Sequence, residues 1–347
     1  MIINVSGLGW SGSGAVYDML KEYDDVKMAI TKSRDSEFCL LCDVDGLRDL
    51  EFHLVEKPCR ISSYVAILRF LNLVKSYNNY FWFENDFNGN FYKLSKEYID
   101  ELTDFDFQGS TYYELLNKDY ETERRNARIR KWLGNRYVRF ILGDYYKKYI
   151  HDTLSHIRVS YKPKNFLRIT QKYLDTLFKQ IKNDENLPLV FDQMIPPDCP
   201  DQFTRYLSEY KCIFVRRDPR DLYIFVKQAN DLSIPIPINS VDNFIVFYKK
   251  IIEDTKDYHN DKYLGLQFED LVYNYDDAVR KIEEFLGIKK HSRKRENFDP
   301  DISVRNTQLF KRYLQYSADI KKIEEMLPNS LFDFEKYHYI ESNDEIF

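Results

Sequence analysis

The chain opens on a short apolar run, Ile2-Ile3-Asn4-Val5, followed at once by glycines at 7, 9, 12 and 14. Val16, Met19, Leu20 and Tyr23 then fall at i, i+3, i+4 and i+7, the spacing of one apolar helix face. Strand, glycine loop and helix in that order predict the opening of a parallel α/β sheet flanked by helices. Further short apolar runs at Phe38–Leu41, Leu189–Phe191, Cys212–Val215 and Leu264–Phe268 each precede a turn or a polar cluster and predict more strands. Between about residues 60 and 185 the pattern changes to long stretches rich in Tyr, Phe, Leu, Lys and Arg with almost no proline. That region predicts a mainly helical insertion within a single α/β domain spanning 1–347. Val279, Ile282, Phe285 and Leu286 predict a helix that stops at Gly287, and a last helix is expected over Ser317–Leu327 before Pro328.

Composition narrows the class. A chain of 347 residues is long enough for about two units, or for one α/β domain carrying a large insertion. The net charge of −5 argues against a general nucleic-acid coat. No apolar stretch approaches the ~20 residues that cross a bilayer, and the first residues lack the pattern of a signal peptide. With five cysteines, an odd count, a soluble protein of the reducing cytoplasm is expected. Glycine is sparse, eleven in all, so four of them within eight positions single out the first loop.

Backbone N–H groups at a glycine loop entering a helix bind phosphate, because they lack partners and the helix dipole favours negative charge. Gly7-Leu8-Gly9-Trp10-Ser11-Gly12 formally matches G-x-G-x-x-G, with Asp24 and Asp25 rather close for a ribose-binding acid. An ATP or GTP loop would need lysine and a hydroxyl after Gly12, where Ser13 and Gly14 stand instead. An ordinary βα turn that binds nothing is the bland reading. A second motif bears on the choice. Cys212-Ile213-Phe214-Val215-Arg216-Arg217-Asp218-Pro219 runs from a strand into a helix start, with Asp218 as cap and Pro219 at the first helical position. An arginine just past a parallel strand stands where α/β sheets bind ligands, and its fork suits phosphate.

Together these segments resemble the sulfotransferases that use 3′-phosphoadenosine 5′-phosphosulfate (PAPS) and release 3′-phosphoadenosine 5′-phosphate. The loop core Trp10-Ser11-Gly12-Ser13-Gly14-Ala15-Val16 resembles the family's Ser-Gly loop, and Arg217-Asp218-Pro219 its 3′-phosphate motif. Leu266-Gln267-Phe268-Glu269-Asp270-Leu271 with Phe285-Leu286-Gly287 is similar to a later scaffold stretch. The resemblance implies a P-loop-kinase-like sheet. It also implies donor contacts from Gly9, Trp10, Ser11, Gly12, Ser13, Gly14 and Ala15, from Arg217, and from a late loop holding Arg305, Asn306 and Lys311. It needs no metal. Two positions depart from the family: Trp10 stands where many members have a lysine, and Phe225 where they often have a serine, with Lys32, Arg34 and Lys227 as alternative cations.

Sulfonate transfer needs in-line positioning, a base for the acceptor hydroxyl and charge stabilisation on the leaving phosphate. Glu37, opening the run Phe38–Leu41, resembles the glutamate base of carbohydrate sulfotransferases, and Asp192 at the end of Leu189–Phe191 is the second candidate. Cys39-Leu40-Leu41-Cys42 lacks a second ligand pair and reads as thiols in an apolar strand. Arg124, Arg125, Arg128, Arg130, Lys131, Arg136 and Arg139, interleaved with Trp132, Tyr137 and Phe140, suit a glycan or are a solvated charged face; Lys289–Arg295 is a second basic run. The expectation is a sulfotransferase acting on an acceptor hydroxyl of a carbohydrate, with no nucleic-acid partner. An NAD(P) oxidoreductase and a binding relative that has lost turnover stay open.

Overall fold

In the computed structural model, the described residues are 1–34, 36–109, 132, 140, 155–181, 186–229, 236–255, 258–292 and 294–341. A five-stranded parallel sheet carries the order β2 (Lys27–Met28), β5 (Leu189–Asp192), β1 (Ile2–Gly7), β6 (Tyr210–Arg216), β7 (Tyr263–Gln267). Its strands, taken in chain order, are thus arranged 2-3-1-4-5, the P-loop-kinase-like arrangement, with β1 between β5 and β6. A dinucleotide fold instead sets its second strand directly beside its first. Among the described residues, no helix is long and apolar enough to cross a membrane.

Period-two alternation explains both faces of the sheet. Ile3, Val5, Val190, Ile213 and Val215 point to one side and pack with Val16, Met19 and Leu20 of helix α1 (Ser13–Leu20) and with Val279 and Ile282. Leu189, Phe191, Cys212 and Phe214 point to the other. There they share one apolar core with residues of the helices Arg60–Phe81, Phe91–Leu102 and Phe166–Phe178, including Phe70, Ile99 and Leu177. Asn4 and Ser6 are buried polar residues of β1 that need partners. They find them in the backbone of Ile195: Asn4 Oδ1 accepts from its N–H at 3.0 Å, and Ser6 Oγ donates to its carbonyl at 2.6 Å. The turn after β5 is thereby tied to the strand that feeds the glycine loop.

Three expectations change. Phe38–Leu41 is a buried turn rather than a strand: the Cys39 carbonyl accepts from the N–H groups of Cys42 and Asp43, and only Glu37 makes a single parallel bridge, to Asp192. The second strand of the sheet is instead Lys27–Met28. The stretch read as helical also holds an antiparallel pair, β3 (Phe105–Gly109) with β4 (Ser155–Val159), whose alternating Phe105, Phe107, Ile157 and Val159 stand opposite one another. The cations at Arg124, Arg125, Arg128, Arg130, Lys131, Arg136 and Arg139 lie outside the described residues. The helices near the C-terminal end form as read, over Tyr275–Leu286, with Gly287 as left-handed cap at φ 78°, and over Ser317–Met326.

Candidate active site

β1 runs into the turn Leu8–Gly12, where Ser11 N–H donates to the Leu8 carbonyl at 2.9 Å. Trp10 has φ 62°, and Gly12 caps α1 at φ 93°. A Cβ on Gly12 would lie 2.4 Å from the Phe268 ring, whereas one on Gly14 would meet nothing within 4 Å. The first glycine is demanded by packing and backbone, and the second opens onto space. That space is a cleft of about 1060 Å³ at the carboxyl ends of the strands, within the size range of cofactor pockets or slightly above it. Gly9, Trp10, Gly12, Ser13, Gly14 and Ala15 line it. Ser11 does not. Its Oγ turns beneath the loop toward Gly7, where a Cβ would lie 2.1 Å from it, because the turn at Trp10 directs the side chain inward.

Glu37 and Asp192 line the same cleft and are bridge neighbours, with the Phe38 N–H donating to the Asp192 carbonyl at 3.1 Å. Glu37 is exposed, whereas Asp192 is buried and its Oδ2 accepts from Ser36 Oγ at 3.0 Å. Gln193, which sequence reasoning passed over, lies between them and the loop at φ 53°. Cys39 and Cys42 complete this wall.

At the opposite end stands Arg217, 3% exposed. Its guanidinium lies over the Phe225 and Phe268 rings, 4.6 and 5.2 Å from their centroids. It donates through Nη1 to the Trp10 carbonyl at 3.0 Å and through Nη2 to the Asn306 carbonyl, joining the loop to the late segment. Its Nε–H is buried without a partner. Burial lowers its pKa, against the opposing pull of Asp221, Glu269 and Asp218. The same burial, reinforced by Asp218, pushes Asp221 up to about 7 and Glu269 up to about 8. Glu269 accepts from the Asp218 N–H at 2.9 Å, so the scaffold stretch after β7 braces the Arg217-Asp218-Pro219 turn.

Trp10 and Phe225, singled out separately in the sequence, are one feature: their rings pack on each other with centroids 5.1 Å apart. None of the alternative cations lines the cleft. Lys32 gives its N–H to Asp86, Arg34 stacks on Trp82, and Lys227 lies over Tyr223 and Tyr316. Of the late-loop candidates, Asn306 lines the cleft, with its Oδ1 buried and unpartnered. Arg305 and Lys311 are not among the lining residues; Lys311 Nζ donates to Gln308 Oε1 at 2.5 Å. The cleft cation missed from sequence is Arg295, in the second basic run. Buried Glu22 holds that segment by accepting from the N–H groups of Arg295 and Asn297 at 2.9 and 3.0 Å. Asp25, weighed as a ribose acid, accepts from the N–H groups of Lys289 and Lys290, and neither Asp24 nor Asp25 lines the cleft.

No family model and no curated protein matches the chain. Among solved structures the chain is similar to the sulfotransferase domain of the Synechococcus PCC 7002 olefin synthase, at 15% identity and a TM-score of 0.38, over 86% of this chain and 78% of that one. It is likewise similar to the sulfotransferase domain from the curacin biosynthetic pathway, at 14% identity and a TM-score of 0.37, over 88% and 77%. Both of these structural neighbours are sulfotransferase domains.

Proposed function

We propose that this chain is a sulfotransferase that moves a sulfonate group from PAPS to an acceptor hydroxyl, with a carbohydrate as the acceptor class. The observation that carries the reading is the joining of three groups in one cleft: the open glycine loop, the carboxylates Glu37 and Asp192 on one flank of it, and Arg217 against its other flank. The residues fit such a donor. Loop N–H groups at the start of α1 suit the 5′ anion. The partnerless Nε–H of Arg217 is a buried donor that an anionic oxygen would satisfy, in keeping with a 3′-phosphate at that end, and Arg295 adds a second cation.

When bound, the donor supplies a sulfonate activated by its anhydride bond to phosphate. The protein's own part is to hold that phosphate on Gly12 to Ala15, to keep the acceptor oxygen in line, and to take its proton. Glu37, exposed at the cleft wall, is placed to accept it in this reading. Asp192 is the paired candidate, held by Ser36. Since Trp10 replaces a lysine, charge on the departing phosphate falls to the backbone N–H groups and Ser13. The dinucleotide alternative loses support from the strand order and from Asp25 being committed to the backbone at 289–290.

The test is transfer of labelled sulfonate from PAPS to a panel of neutral and acidic glycans by the wild type, Glu37→Gln and Asp192→Asn. A base acts mainly in the transition state, so Glu37→Gln is expected to lower kcat by ~10²–10⁴-fold with nucleotide affinity nearly unchanged. Full turnover in Glu37→Gln with none in Asp192→Asn would move the base to β5. Nucleotide binding without transfer to any acceptor would favour a binding relative disabled at Trp10 and Phe225.

A further inference from the structure

Gln193 directly follows β5 and lies in the left-handed region, φ 53°, a conformation uncommon outside glycine. The strain is held by neighbours on both sides: its N–H donates to the Val5 carbonyl at 2.9 Å, and its carbonyl accepts from the Cys39 thiol at 3.5 Å. The side chain is thereby carried back over the glycine loop. Its Oε1 accepts from the Gly7 N–H at 3.4 Å, and its Nε2 donates to Ser13 Oγ at 3.0 Å.

These two contacts fix a polarity. An amide group has one acceptor end and one donor end, and the Gly7 N–H can only donate, so Oε1 must face it. Nε2 then faces Ser13, and the Ser13 oxygen must accept. A hydroxyl that accepts from one side has its own hydrogen left for another partner. Ser13 is buried and lines the cleft at the first position of α1, where the helix N-terminus favours an anion.

We infer that Gln193 is a positioning residue that turns the Ser13 hydroxyl into a hydrogen-bond donor aimed at the anion held by the glycine loop. The inference rests on the loop holding the 5′ anion of a nucleotide, as proposed above. In a chain with Trp10 at the lysine position, such a neutral donor supplies part of the contact that a cation would make.

The experiment is a double-mutant cycle in the affinity for adenosine 3′,5′-bisphosphate, with thermal midpoints measured alongside. Ser13→Ala removes the donor, and Gln193→Met keeps the length of the side chain without its polarity. Each is expected to weaken binding about tenfold, the low end for a hydrogen bond to a charged group. The double variant is expected to be about tenfold weaker as well, not a hundredfold, because Gln193 acts only through Ser13. Gln193→Asn, which tolerates the left-handed backbone but is too short to reach Ser13, should match Gln193→Met and guards against a folding defect. Gln193→Glu would accept from the Ser13 hydroxyl and turn its hydrogen away, so the largest loss is expected there. Losses that multiply, or a Gln193→Met variant that binds like the wild type, would overturn the inference and leave the sulfotransferase reading standing. A wild type that does not bind the bisphosphate would remove both.

Discussion

The two ends of the cleft are built by opposite means. At the loop end the groups are backbone N–H and small side chains, left open by Gly14 and by the start of α1. At the Arg217 end one buried guanidinium is surrounded by two rings, two carbonyls and the carboxylates Asp218, Asp221 and Glu269. The first end costs the fold little, because unpaired N–H groups are what every helix start provides. The second is part of the fold itself, since Arg217 joins the loop to the segment at Asn306. A ligand contact at Arg217 is therefore bound to loop geometry, whereas one at Gly14 is separable from it.

The largest effect should come from breaking the buried end. Arg217→Ala leaves the Trp10 and Asn306 carbonyls without their donor and a hole between the Phe225 and Phe268 rings, and should destabilise the protein by about 3–5 kcal/mol. Chemical denaturation checks this, and a loss under 1 kcal/mol would show that the guanidinium braces nothing. Arg295→Ala is the contrast: this arginine is exposed, and among the described residues it pairs with exposed Asp301 and lies over the Tyr275 ring, so stability should fall by no more than about 1 kcal/mol.

The loop glycines sharpen the comparison at the other end. Gly12→Ala combines a positive φ with a clash against Phe268 and should cost about 2–4 kcal/mol. Gly14→Ala meets nothing, so stability should hold or rise by up to about 1 kcal/mol, and nucleotide affinity is expected to fall because the added methyl enters the open space proposed for the anion. Equal destabilisation by both would mean that Gly14 serves the fold.

A smaller effect is a pH dependence confined to the buried end. Burial, reinforced by Asp218, pushes Glu269 and Asp221 up to about 8 and about 7, above the ordinary carboxylate range. The folded state therefore binds more protons than the unfolded state between about pH 4 and these values. Their contribution is complete on the acid side and is lost as pH rises through about 7 and 8. Glu269→Gln should flatten the thermal midpoint between pH 5 and 9 relative to the wild type, and an unchanged slope would place the titration elsewhere.

The same contrast explains what could be read from the sequence. The loop end was legible because its logic is local: β1, the glycines and the apolar face of α1 follow one another within twenty residues. β5, β6 and β7 were legible as short apolar runs, as was the cap at Gly287. Phe38–Leu41 misled because a turn that buries Phe38, Leu40 and Leu41 carries the same apolar run as a buried strand. Lys27–Met28 is too short to show any period. Gln193, Arg295 and the packing of Trp10 on Phe225 depend on contacts between distant segments, which spacing along the chain does not encode. Ser11 and Ser13 look alike in sequence, yet the turn at Trp10 sends one beneath the loop and leaves the other in the cleft.

The central claim, that the cleft holds a phosphosulfate nucleotide with its 5′ anion on the loop and its 3′-phosphate toward Arg217, is tested most directly by calorimetric titration. Adenosine 3′,5′-bisphosphate, adenosine 5′-monophosphate and NAD would each be titrated into the wild type at one fixed ionic strength. The bisphosphate is expected to bind about 10–100-fold more tightly than the monophosphate, the value of one charge-assisted contact, and NAD to bind most weakly. A bisphosphate that binds no better than the monophosphate, or NAD binding more tightly than both, would contradict the account.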